Sequence, residues 1–123
     1  MNFKQRSYQK ELLDGDAIPF EDIKRNMQEL NTINHLLGGH KITLRGIEHL
    51  VSNTNKQGDL HVVEIGCGGG DNLRVIKAWA NKKNINIQLT GIDINKECIQ
   101  FAKSTSSNNG IHFICSDYKK VSF

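Results

Sequence analysis

The chain has 123 residues, with 37% hydrophobic and 24% charged side chains and a net charge of +3. That is enough for one domain with one apolar core, and it excludes a disordered composition. Lysines and arginines are interspersed with acidic residues rather than gathered in runs, which gives nucleic-acid binding no support from charge.

Residues 1–15 are expected to form a short helix ended by Asp14–Gly15, where glycine suits the left-handed residue after a helix. Pro19 can open the next helix, because its missing N–H would lack a partner there anyway. Glu21 and Asp22 then favour the positive end of the helix dipole. From Phe20 to Leu37 the apolar residues Ile23, Met27, Leu30, Ile33 and Leu37 recur in steps of four and three, which draws one stripe on a helix. Gly38–Gly39 stop it. A further helix is expected from Lys41 to Asn53, burying Leu44, Ile47, Leu50 and Val51, followed by a loop over NTNKQGD.

From Leu60 the pattern changes. LHVVEIG is a short run rich in β-branched residues, as in a strand buried on both faces of a parallel sheet. GCGGGD leads into a helix over residues 72–80 with Leu73, Val75, Ile76 and Trp79 on its apolar side. INIQLTGIDI reads as a second strand and NKECIQFAKS as a helix turning Cys98, Ile99, Phe101 and Ala102 inwards. IHFICSD, after a turn over SSNNG, reads as a third strand. Strand, helix, strand, helix, strand implies a Rossmann-like α/β fold: a doubly wound parallel sheet with right-handed crossovers. The expected division is a helical lead-in or cap over 1–56 and a sheet core over 57–123.

The stretch VVEIGCGGGDN places a glycine-rich turn between a strand and a helix. A ligand can approach backbone there, because glycine leaves room and tolerates positive φ, and the helix offers free N–H groups. A dinucleotide site requires G-x-G-x-x-G or G-x-G-x-x-A, and Asp71 fits its last slot poorly. The pattern acidic-x-G-x-G-x-G is matched in full by Glu64, Gly66, Gly68 and Gly70. With Asp93 closing the second strand and Asp117–Tyr118 closing the third, residues 60–118 resemble the first half of the core of class I S-adenosylmethionine-dependent methyltransferases.

That resemblance implies S-adenosyl-L-methionine as cofactor and methyl transfer to a small molecule. It implies that Glu64, Gly66, Cys67, Gly68 and Gly70 hold the amino-acid end of the cofactor. By the same resemblance Asp93 takes the ribose hydroxyls, Ile94 packs on adenine, and Asp117 with the Tyr118 N–H meets the adenine edge. The front segment ELNTINHLLGGHKITLRGIE resembles the lead-in of natural-product methyltransferases, with His40 and Thr43 nearest the cofactor.

The family core has seven strands in the order 3-2-1-4-5-7-6, of which this sequence carries 3-2-1. The expectation is therefore a truncated, inactive cofactor-binding portion, with the catalytic residues unidentified. Its first strand then has a bare edge, which invites pairing with a second copy. A nicotinamide-binding oxidoreductase fragment and a non-catalytic association module are the alternatives. Cys67, Cys98 and Cys115 form no C-x-x-C pair and the five histidines are dispersed, so reduced thiols in the cytoplasm and no metal site are expected. The N-terminus has no apolar core of a signal peptide, and no stretch is long enough to span a membrane.

Overall fold

A computed structural model of the protein describes residues 19–52, 60–106 and 110–122, without the side chains of 34–36. The helix expected before Gly15 and the loop 53–59 lie outside the described residues, as does most of the turn before the third strand. The elements run in the order α1 (Phe20–Leu37), α2 (Gly39–Ser52), β1 (Leu60–Ile65), α3 (Asp71–Lys82), β2 (Ile87–Asp93), α4 (Lys96–Thr105) and β3 (Ile111–Cys115). A 3-10 turn over Tyr118–Lys120, absent from the sequence reading, follows.

The three strands form a parallel sheet with β2 in the middle. This is the Rossmann-like parallel arrangement that the alternation of strands and helices predicted, but α3 and α4 do not wind on opposite faces as a doubly wound sheet requires. Both crossovers step across the sheet in the same direction, so right-handedness puts α3 and α4 on the same face. That face holds the core: Leu73, Ile76 and Ala80 of α3 and Ile99 and Ala102 of α4 pack with Ile87, Leu89 and Phe113. Leu44 and Ile47 of α2 join its rim, and Trp79 Nε1 donates to Glu48 Oε1 at 2.9 Å, tying α2 to α3.

Two helices begin as their sequences demand. Pro19 contributes its carbonyl, which accepts from the N–H groups of Asp22 and Ile23, while Phe20 is the first helical residue. Asn95 caps α4, its side chain accepting from Glu97 N and Cys98 N at 3.0 Å. A side-chain oxygen there satisfies N–H groups that have no partner within the helix.

Three expectations about burial need correction. β1 is not buried on both faces: none of its residues is fully buried, and Ile65 at its end is 54% exposed. The stripe on α1 is covered only at its start. Ile23 is buried, whereas Leu30 and Ile33 are about half exposed and Leu37 is 79% exposed. Leu50 of α2 is likewise exposed. Helical periodicity identifies a face, but only a neighbouring element can bury it.

Candidate functional site

The turn after β1 is held from beneath by β2. The N–H groups of Gly66 and Cys67 both donate to the Ile92 carbonyl, at 2.7 and 3.1 Å. Gly66 and Gly68 have φ of +75° and +53°, conformations that side chains disfavour. A Cβ on Gly66 would meet nothing within 4 Å, so its lack of a side chain is not required for packing. Gly70 has the opposite constraint: a Cβ there would sit 2.7 Å from Phe113 Cζ. The sequence pattern treats these glycines alike, and the structure separates them.

Two cavities meet at this loop. One, of about 350 Å³, lies between the lead-in helices and the glycine turn, and is lined by Met27, Leu30, His40, Thr43, Glu64, Gly66 to Gly69, Asp71 and Asn72. The other, of about 480 Å³, runs along the strand ends past Ile65, Gly66, Asp93, Ile94, Asp117 and Tyr118. Gly66 lines both. All the residues singled out from the sequence border one or the other except Gly70, which is buried behind the loop. Gly69, unremarked in the sequence reading, lines the first cavity, with Met27 Sδ 3.3 Å from where its Cβ would be.

Glu64 is the unusual group here. Its Oε1 accepts from Asn72 Nδ2 at 3.3 Å, while its Oε2 is buried with no hydrogen-bond partner. Burial pushes the Glu64 carboxyl above its ordinary range, and the Asn72 hydrogen bond, the largest opposing influence, only partly offsets this. A buried unpaired oxygen costs stability until a donor arrives.

Asp93 is occupied already. Its Oδ2 accepts from Gly68 N at 2.9 Å and its Oδ1 from Asn95 N at 2.8 Å. This carboxylate therefore joins the glycine loop to the start of α4. Each oxygen retains a second lone-pair direction for a further donor. Asp117 caps the 3-10 turn by accepting from Lys119 N at 3.0 Å. Ile94 stands 71% exposed on the same cavity.

Two further groups close the loop. Arg74 Nη1 lies 2.6 Å from the Gly69 carbonyl and 3.0 Å from both Thr105 Oγ1 and Ser106 Oγ. It clamps the loop to the end of α4, and nothing in the motif marked it. Cys67 is buried, and burial pushes its thiol up to about 12; burial likewise raises Cys98 to about 11. Burial thus favours the neutral thiol at both positions.

Residues 56–122, more than half of the chain, match a family described as a methyltransferase domain. Among solved structures, the plantazolicin methyltransferase BpumL in complex with a monoazolic desmethylPZN analog and SAH is 27% identical. The match covers 85% of this chain at a TM-score of 0.58. A second structure of that enzyme, with SAH, is 24% identical over 89% of this chain at a TM-score of 0.60, a likeness of fold. The chain spans 38% of the length of these enzymes. Among curated proteins none matches.

Proposed function

The chain belongs to the methyltransferase domain family, and from that premise we propose that residues 57–123 are the cofactor-binding portion of a small-molecule methyltransferase, with residues 1–56 as its helical cap. S-adenosyl-L-methionine supplies a methyl group on a sulfonium, ready for transfer to a nucleophile. The reading is supported above all by Glu64 Oε2, a buried acceptor without a donor beside a glycine turn with space at Gly66. An ammonium group meets that need; the nicotinamide dinucleotides have none.

In this reading Glu64 binds the cofactor's amino group, and the turn of Gly66, Cys67 and Gly68 accommodates its amino-acid end. Gly70 keeps the helix close behind the loop. Asp93 accepts from the ribose hydroxyls with its remaining lone pairs, and Ile94 supports adenine. Asp117 and the Tyr118 N–H address the adenine edge. Met27 and Leu30 over the loop give one side of the cavity an apolar wall, facing the polar side formed by His40, Thr43, Glu64 and Asn72.

Calorimetric titration tests this. S-adenosylhomocysteine is expected to bind and NAD is not. Tighter binding of NAD would favour an oxidoreductase fragment, and binding of neither would favour an association module.

The edge of β1 that pairs with no strand among the described residues supports a second part of the proposal, a homodimer in which two such edges pair. Open strand edges are templates for another chain. Light scattering at rising concentration is expected to show the mass of two chains; a monomer throughout removes the dimer and leaves the ligand reading intact.

A further inference from the structure

His40 stands on α2, is buried, and has a partner for each ring nitrogen. Nδ1 lies 3.3 Å from Asn72 Oδ1, and Nε2 lies 3.1 Å from Asn31 Oδ1. Asp71 Oδ2 is 3.7 Å from Nε2. Asn72 in turn donates to Glu64 Oε1. These contacts link α1, α2, α3 and β1 in one chain of side chains.

The direction of the chain follows from its end. Glu64 Oε1 accepts from Asn72 Nδ2, so Asn72 presents its NH2 group to the carboxyl. Asn72 then has only its oxygen for His40, and an oxygen acceptor requires Nδ1 to carry a proton. In such a chain each hydrogen bond polarises the next.

We infer that His40 is a positioning residue for Glu64: through Asn72 it holds Oε1, ties the lead-in helices to the carboxylate, and leaves Oε2 as the acceptor for a cationic N–H donor in the cavity. This rests on the proposed role of Glu64 and adds a role for the lead-in. The cap then adjusts cofactor affinity from α2, without itself needing to touch the ligand. The charged and titratable groups around Glu64 are Asp71 on α3, which raises its carboxyl, His40 on α2, which lowers it, and the Cys67 thiol in the loop.

Nuclear magnetic resonance of the isotope-labelled full chain without ligand tests the inference directly. The nitrogen spectrum of His40 is expected to show a protonated Nδ1 at neutral pH. His40→Leu is expected to move the Glu64 titration upwards, because Asn72 loses the donor that orients it. His40→Asn, whose amide nitrogen stands where the ring Nδ1 stood, is expected to restore it. A bare Nδ1 in the unsubstituted chain overturns the inference, and so does an unmoved Glu64 titration in a folded His40→Leu protein. If that variant does not fold, the Nδ1 measurement decides alone. In calorimetry, S-adenosylhomocysteine is expected to bind about tenfold more weakly to His40→Leu and near normally to His40→Asn. Absence of binding to every form, with the spectra as expected, removes the cofactor reading and keeps the His40–Glu64 coupling.

Discussion

Asp93→Ala is expected to weaken the fold and to abolish adenosine-ligand binding together. Its two oxygens accept from two backbone N–H groups, one in the glycine loop and one at the start of α4. A hydrogen bond to a charged group contributes about 1.5–3 kcal/mol, and a stranded donor adds its own penalty. The two bonds share one carboxylate, so their losses do not add fully. A total of about 2–4 kcal/mol is expected, a large part of the about 5–15 kcal/mol that holds a domain together.

Loss of binding in the alanine variant therefore has two causes, the missing acceptor for ribose and a loosened loop. Asp93→Asn separates them. An asparagine retains one acceptor oxygen for one of the two N–H groups and sets an NH2 against the other. Its denaturation midpoint should fall between those of the original and of Asp93→Ala, and S-adenosylhomocysteine affinity should fall strongly in calorimetry. An unchanged midpoint in Asp93→Asn would falsify the structural half of this account. Unchanged affinity would remove Asp93 from the ligand site.

The glycines make the second large contrast. Gly91 lies in β2, where a Cβ would come within 2.7 Å of Leu73 Cδ1, 2.8 Å of Cys67 Sγ and 2.9 Å of Phe113 Cδ1. Leu73 is fully buried in the core cluster. Overpacking of this kind costs about 1–3 kcal/mol. Gly70→Ala adds a left-handed φ of +77° to its clash with Phe113, so it should be the more damaging of the two.

Gly66→Ala is the control. Its left-handed backbone costs about 1–2 kcal/mol, but no neighbour is displaced. The new methyl group sits in the open region where the two cavities meet. Thermal unfolding should rank the variants Gly66→Ala, Gly91→Ala, Gly70→Ala in order of increasing loss. Calorimetry should show that Gly66→Ala, though folded, has lost affinity for S-adenosylhomocysteine. A Gly66→Ala protein that binds normally would mean that the cleft at this glycine receives no ligand.

The helices and strands were legible because their signals are local. The stripe from Ile23 to Leu37 repeats at the helical period, and the β-branched run before Glu64 bears a strand's composition. A positive φ is also a local demand, which is why glycines at 66, 68 and 70 marked a turn between strand and helix before any contact was known. The succession of strands and helices then left a parallel sheet with right-handed crossovers as the expected fold.

What the glycines are for was decided only by their neighbours. Gly70 yields to Phe113 from β3 and Gly91 to Leu73 from α3, contacts that no spacing rule contains. The same holds for Asp93, whose oxygens are spent on the loop and the α4 cap, and for Arg74, whose clamp joins Gly69 to Thr105 and Ser106. It holds too for the line from His40 through Asn72 to Glu64. Backbone preference acts within a few residues, so sequence determines which elements form and in what order. Burial, clash and hydrogen-bond partnership depend on groups brought together by folding, so tertiary structure alone decided which oxygen of Glu64 was left without a donor.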